Sequence, residues 1–326
     1  MKILSAEDVK NLLSLGEAIN LIKKQMVSVS KRECILPLRN VVDLGQSKKF
    51  GIMPGSLGKG MAFGVKLLSL FPENPSKALS SHIGLITLFD PDTGIPKGVV
   101  NADMITAIRT AAASAVATEQ LAKDTSKTMA IIGTGEQAEY HVKSIPLIRP
   151  IKEINLAGSS VEKAQIFVDK ISKNSHNLKF KIFEKVKDAV KTSDIICTVT
   201  SSKDPVLFGD WVKSGTHINA VGASIPLFQE IDISVITKAR LFVDYIPSAL
   251  AQAKEILYGI ENNIFKENFI LGEIGEVLAG NKTGRRGQED ITVYRSLGIA
   301  AQDLVCAQYV LEKSNELKTG TSVKIL

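Results

Sequence analysis

The run Gly133-Thr134-Gly135-Glu136-Gln137-Ala138 follows an apolar stretch and precedes a helix-compatible one. A Gly-x-Gly-x-x-Ala turn at a strand-to-helix junction has a definite chemical use. Gly133 permits the tight turn, Gly135 lets the backbone approach an anion, and Ala138 lets the helix pack closely on the strand. The helix N-terminus then faces negative charge, as a pyrophosphate requires. The alternative is a glycine turn with no ligand, but the surrounding strand–helix–strand pattern favours a dinucleotide. In such sites a carboxylate at the end of the second strand binds the ribose 2′-hydroxyl of NAD and repels a 2′-phosphate. Here that strand, Glu153 to Ala157, runs into Gly158-Ser159-Ser160, with Lys163 one turn further on, and the acid at Glu153 lies at the wrong end. Two hydroxyls and a lysine lean towards NADPH over NADH. In the other reading, Ser159 and Ser160 cap the next helix.

Two cations stand in apolar company. Lys66 lies between Val65 and Leu67 in a strand-like run. Strand alternation sends it to one face, where a lone lysine needs an anion or water. It would hold a carboxylate or exchange a proton near an imine, or else it is a strand lysine at a solvated edge. Arg109 lies in Ala107-Ile-Arg-Thr-Ala-Ala-Ala-Ser-Ala115. An arginine in such a helix is costly unless paired, and its planar fork suits a carboxylate or pyrophosphate; a structural ion pair is the alternative. Arg39, in Leu36-Pro-Leu-Arg-Asn40, is less distinctive. His82 and His141 read as structural, His141 as packed behind the glycine turn, and the four histidines have no metal-ligand spacing, so no metal is expected.

The elements that must position these residues fall into two patterns. Ser5 with Asp8 opens a helix with an acidic first turn, and residues 17–30 continue a helical pattern. From about Ile35 to Val100 the reading is strands, including 63–70, 84–89 and 95–100, with a turn at Asp90–Gly94. Residues 101–122 are Ala-rich and helical. From Thr128 onward strand candidates at 129–133, 153–157, 179–183, 194–199, 216–221 and 240–244 mostly alternate with helices, which predicts a doubly wound parallel sheet. A polar loop around Gly284–Gly287 follows. The last helix, 298–312, lies too far past the sheet to belong to it and is expected to return to the N-terminal part. The fold class is therefore α/β: a Rossmann-type sheet over residues 116–298, inserted into an α+β domain of residues 1–115 and 299–326.

Composition narrows the partners. The net charge of +6 is spread over scattered lysines with no arginine-rich run interleaved with aromatics, so nucleic acid is not expected. No apolar run reaches membrane-span length, and the N-terminus carries acids where a signal peptide needs an apolar core. Cys34, Cys197 and Cys306 are too few and too scattered for a disulfide framework, which points to a reducing cytoplasm.

Taken together these segments resemble the ornithine cyclodeaminase and mu-crystallin family over nearly the whole chain. The resemblance rests on Gly64-Val-Lys-Leu67, on the Arg109 segment, on Gly133 through His141 and on Val221-Gly-Ala-Ser224. Gly275-Glu-Val-Leu-Ala-Gly280 and Asp290-Ile-Thr-Val-Tyr-Arg-Ser-Leu-Gly298 extend it. It implies a homodimer built by a substrate-binding domain into which the Rossmann domain is inserted. It implies that Arg39, Lys66 and Arg109 surround a substrate carboxylate. Ser81, Arg109, Thr110, the 133–138 turn, Ser159, Ser160, Thr200, Ser201 and Ser224 would meet the cofactor, with Arg295 and Ser296 closing over it near the nicotinamide.

One departure directs the choice of activity. Cyclodeaminases of the family look like Gly-Gly-Asp or Gly-Ala-Asp followed by Pro-Gly-Lys in the 222–228 region; here it reads Gly222-Ala-Ser-Ile-Pro-Leu-Phe228. The acid that would work on an amino group is missing. The Gly-Ala-Ser form is similar to that of ketimine and Δ1-pyrroline-2-carboxylate reductases. The expected reaction is NAD(P)H-dependent reduction of Δ1-pyrroline-2-carboxylate or Δ1-piperideine-2-carboxylate to L-proline or L-pipecolate, with Lys66 or water as proton donor. The alternatives are ornithine cyclodeamination, an alanine-type amino-acid dehydrogenase, and a crystallin-like protein that binds NADPH without turnover.

Overall fold

The structure is a computed structural model and describes residues 1–77, 79–175 and 177–324. The chain begins with β1 (Lys2–Leu4), α1 (Ala6–Leu12) and α2 (Leu15–Ser30). It continues through β2 (Asn40–Gly45), β3 (Lys48–Ser56), β4 (Phe63–Leu70), β5 (His82–Phe89) and β6 (Pro96–Asn101) into the long helix α3 (Ala102–Leu121). Next come β7 (Thr128–Ile132), α4 (Glu136–Ser144), β8 (Glu153–Ala157), α5 (Val161–Ile171), β9 (Lys179–Ile182), α6 (Val186–Val190), β10 (Ile195–Thr198) and β11 (His217–Ala220). These are followed by α7 (Ile233–Thr237), β12 (Arg240–Val243), α8 (Ile246–Gln252), α9 (Lys254–Glu261), β13 (Gly272–Glu273), α10 (Ile274–Leu278) and β14 (Thr292–Arg295). Helix α11 (Ala300–Glu316) and β15 (Thr321–Ser322) complete the described elements.

The chain divides into two units, Met1–Arg109 with Ile299–Leu326, and Thr110–Gly298. The first division falls at 109/110 rather than 115/116. It lies inside α3, a continuous Ala-rich helix whose composition does not change there.

In the first unit a seven-stranded sheet has the order β15-β1-β6-β5-β4-β3-β2. β1 runs parallel to β6, and the other pairs are antiparallel. Local chemistry sets the helix starts. The Ser5 and Asp8 side chains satisfy each other's backbone amides, and Ser14 and Glu17 repeat that box, so one helical pattern becomes two helices. Helix α11 packs against β3, β4, β5 and α2. This helix-covered face carries a cross-strand row, Val100–Ile86–Lys66–Met53, that is buried throughout. The opposite face carries exposed apolar side chains, among them Val42, Phe63, Ile83 and Leu85.

In the second unit an eight-stranded, wholly parallel sheet has the order β13-β12-β14-β11-β10-β7-β8-β9. The run β9-β8-β7-β10-β11-β14 is the doubly wound order of a Rossmann fold. The central strands β10, β11 and β14 are buried at every position, as expected where helices cover both faces. The six strand candidates from the sequence all enter this sheet. β14, which is not among those candidates, inserts between β11 and β12. Thr292–Arg295 is a four-residue strand directly after a polar loop, too short to show a periodicity of its own.

Candidate functional site

Lys66 is 1% exposed on β4, which has a neighbour on each side, so the solvated-edge reading is overturned. Its Nζ donates to Thr106 Oγ1 at 2.6 Å and to Asp303 Oδ1 at 3.0 Å. The Thr106 hydroxyl donates its own hydrogen bond to the Ala102 carbonyl at 2.6 Å, so towards Lys66 it acts as the acceptor. Arg109, also buried, donates from Nε to the same Asp303 Oδ1 at 2.9 Å and from Nη1 to Gln302 Oε1 at 2.9 Å. Three elements thus bring their charges to one oxygen: β4, α3 and α11. Asp303 Oδ2 is buried with no hydrogen-bond partner among the described residues.

The electrostatics follow from this geometry. Burial lowers the Lys66 pKa from 10.5 to about 8; Asp303 opposes the fall, while the charges of Arg109 and Arg39 add to it. Burial alone would raise the Asp303 carboxyl, but Arg109 and Lys66 outweigh it and hold the group below the usual range, as an anion. Two buried cations, Lys66 and Arg109, thus share one carboxylate oxygen, a setting that suits a further small anion. At the start of β5, Ser81 Oγ hydrogen-bonds His82 Nδ1 at 3.0 Å.

In the second unit the expected cofactor residues gather by topology. All strands run parallel, so the 133–138 turn after β7, Ser159 and Ser160 after β8, Thr200 and Ser201 after β10, Ser224 after β11 and Ser296 after β14 lie beyond the same ends of the sheet. This is where a doubly wound sheet opens its crevice. Gly133 has φ +118°, and a Cβ there would lie 2.7 Å from the Val199 carbonyl oxygen. Gly135 is the N-cap of α4 and has no side chain to cap it, and a Cβ there would meet nothing within 4 Å. Ala138 is fully buried. A closed first glycine, an open second one and a helix N-terminus behind them fit a dinucleotide pyrophosphate. His141 is buried below this turn; its Nδ1 lies 2.7 Å from the Gln137 carbonyl and its Nε2 2.8 Å from Ser114 Oγ. The carbonyl can only accept, so Nδ1 carries the proton and Nε2 accepts from Ser114; burial lowers the ring pKa to about 4. Both ring nitrogens are thus engaged inside the protein.

Other expected residues have these surroundings within the protein. Ser160 Oγ accepts the Lys163 amide as the N-cap of α5, and Ser159 is exposed. Arg295 is 1% exposed; its Nε pairs with buried Glu255, and Nη1 reaches the carbonyls of Ala220 and Ser296. It ties α9 to the sheet ends, a structural task the sequence reading did not give it. Ser296 Oγ is buried and has no hydrogen-bond partner among the described residues. Thr110 follows Arg109 on α3 and is nearly buried. Among the described residues no group of three or more His, Cys, Asp or Glu side chains is placed to hold a metal ion, and no described helix is long and apolar enough to cross a membrane.

Two acids were missed. Asp303 lies in Ala300-Ala-Gln-Asp-Leu-Val-Cys-Ala307, an apolar helix, and the argument that Arg109 needs a partner applies to it unchanged. Glu230, in Phe228-Gln-Glu-Ile-Asp232, reads as loop polarity and gives no such signal.

Known proteins share this architecture from end to end. A Δ1-pyrroline-2-carboxylate reductase of Bacillus cereus is 31% identical over 326 residues, covering 99% of this chain and 100% of that protein. The solved structure of Thermococcus litoralis Δ1-pyrroline-2-carboxylate reductase in complex with NADH and L-proline is 33% identical. It superposes with a TM-score of 0.95 over 99% of this chain and 100% of that one. An archaeal alanine dehydrogenase dimer with bound NAD is 29% identical, with a TM-score of 0.93 over 100% of this chain and 99% of its own. The sequence model of the ornithine cyclodeaminase/mu-crystallin family matches residues 1–318, and the chain belongs to that family.

Proposed function

We propose that this protein reduces the C=N bond of a cyclic ketimine acid, Δ1-pyrroline-2-carboxylate or Δ1-piperideine-2-carboxylate, to L-proline or L-pipecolate. The observation that carries the reading is the buried pair of cations Lys66 and Arg109 on the single carboxylate oxygen Asp303 Oδ1, with the charge of Arg39 also felt at Lys66. Its surplus charge is matched by a substrate carboxylate. Reduced nicotinamide, when bound, supplies the hydride for the imine carbon. The chain's own residues do the rest. The arginines orient the carboxylate, Arg109 being itself fixed by Asp303 and Gln302. An ammonium has three N–H donors; Lys66 gives two to Thr106 and Asp303, and we assign the third to the imine nitrogen, which it protonates. A pKa near 8 leaves Lys66 charged at neutral pH yet able to release its proton. The Asp-less 222–228 segment agrees with a substrate whose imine is already formed.

The first unit is proposed as the substrate and dimerisation domain and the second as the cofactor domain. The exposed apolar sheet face with Val42, Phe63, Ile83 and Leu85 supports a homodimer, because such a face is seldom left to water. The cytoplasm is the proposed compartment. NADPH was favoured on Ser159, Ser160 and Lys163; the capping role of Ser160 weakens that support. Glu162 weakens it further: its carboxyl is held below the usual range by its own backbone amide and by the Ser160 hydroxyl. An anion beside the second strand's end disfavours a 2′-phosphate, and we propose NADH as the better reductant.

The likeness to an alanine dehydrogenase favours a second reading, reductive amination of pyruvate. Following NAD(P)H oxidation with both cyclic imines, with pyruvate plus ammonia, and with ornithine separates the cases. Turnover with an imine alone supports the reductase; turnover only with pyruvate plus ammonia refutes it.

A further inference from the structure

Glu230 is 2% exposed and lies two residues after the 222–228 segment that departs from the cyclodeaminase pattern. Its carboxylate is fully engaged. Oε1 accepts from the Thr200 amide at 2.5 Å, and Oε2 accepts from the Gly222 amide at 2.5 Å and from Thr198 Oγ1 at 3.0 Å. The donors belong to the ends of two adjacent strands, β10 and β11, where the chain leaves the ladder; the Gly222 amide there is shared between Glu230 and the Thr198 carbonyl at 3.2 Å. The glutamate is itself anchored: its carbonyl accepts from the Val206 and Leu207 amides, and Ile231 bridges to Leu207. The two loops it joins are closely apposed. A Cβ on Gly222 would lie 2.0 Å from the Thr200 carbonyl oxygen and 2.6 Å from Glu230 Oε1. Thr200, Ser201 and Ser224 ride on these loops. Burial pushes the Glu230 carboxyl up while its hydrogen bonds pull it down, so the donors and the carboxylate depend on each other.

We propose that Glu230 is a positioning residue for the dinucleotide. It clamps the loops after β10 and β11 into the shape that receives the cofactor, and it does not touch the imine. The inference rests on the dinucleotide reading of this sheet edge. A glutamine is nearly isosteric but places an NH2 where one backbone N–H needs an acceptor, so Glu230→Gln opens the clamp without emptying the site. Thr198→Val removes one hydroxyl donor and leaves both amide contacts.

NADH binding to the full chain, titrated by fluorescence, is compared for the wild type, Glu230→Gln and Thr198→Val, alongside KM values and thermal unfolding. The expected result is an NADH affinity weakened about fivefold or more in Glu230→Gln, the scale of one buried unsatisfied group. KM for NADH rises while KM for the imine acid at saturating NADH is unchanged, and Thr198→Val moves the same way by less. If the wild type binds no NADH, the dinucleotide reading fails and the proposal with it. If the wild type binds and both variants bind equally well, the proposal alone is overturned. A lowered unfolding temperature with unchanged NADH affinity also overturns it. If Glu230→Gln does not fold, Thr198→Val decides: unchanged affinity there overturns the proposal, and weakened affinity with an unchanged imine KM sustains it.

Discussion

Lys66 Nζ lies 3.0 Å from Asp303 Oδ1, across 237 residues of sequence, and both side chains are almost wholly buried. The same oxygen takes the Arg109 Nε at 2.9 Å. One carboxylate therefore sets both the charge state of the lysine and the direction of the arginine fork.

Removing that carboxylate has a signed consequence. Asp303 raises the Lys66 pKa against burial, so Asp303→Asn lowers it from about 8. A proton donor is lost as pH rises through its pKa, so the wild-type rate falls through about pH 8 and the variant's rate falls at lower pH. Leaving Lys66 and Arg109 without their anion also destabilises the fold, by about 3–5 kcal/mol. The pH profile of kcat together with denaturant unfolding checks both; an unmoved alkaline limb contradicts the proton assignment.

Lys66 gives opposite signs for rate and stability. Its pKa is about 8 in the folded chain against the ordinary lysine value of 10.5, so between these pH values the unfolded chain holds more protons and stability rises with pH. The difference in unfolding free energy between wild type and Lys66→Met should shift towards the wild type across that window. The same variant should lose roughly 10²- to 10⁴-fold in kcat, the usual worth of a positioned proton donor, with NADH affinity unchanged.

The two glycines of the turn separate folding from binding. Gly133→Ala meets a φ of +118° and a carbonyl oxygen 2.7 Å from the new Cβ, so it destabilises by about 1–3 kcal/mol. Gly135→Ala has neither strain nor a clash. It should unfold like the wild type and still bind NADH more weakly, because the new methyl occupies the space facing the anion. Thermal unfolding and NADH titration of the pair test this; equal NADH affinity in Gly135→Ala contradicts a pyrophosphate there.

Arg109→Lys keeps the charge and loses the planar fork that engages Asp303 and Gln302 together. KM for the imine acid should rise about tenfold or more, the scale of one charged hydrogen bond. Glu162→Gln should raise kcat/KM with NADPH relative to NADH; an unchanged ratio removes Glu162 from cofactor choice.

What could be read in the sequence was what broke a local rule. Lys66 in an apolar strand, Arg109 in an Ala-rich helix and paired glycines before a helix each conflict with their surroundings unless a partner is present. Asp303 breaks the same rule, and pairing it with Arg109 was within reach of the residues alone. Glu230 breaks none, because an acid in a polar loop is ordinary and only the fold shows which amides it accepts. Ser160 fits both a cap and a phosphate contact in sequence, and the fold shows the cap. The parallel sheet was legible from alternation, whereas the place of β14 depended on a four-residue strand after a loop.

The most direct test of the central claim is the absorbance of reduced nicotinamide when purified protein meets Δ1-pyrroline-2-carboxylate or Δ1-piperideine-2-carboxylate, with the amino acid product quantified. The account predicts oxidation of one NADH for each L-proline or L-pipecolate formed, with no ammonia required. No oxidation with either imine, or ammonia released from ornithine without net consumption of reductant, would contradict it.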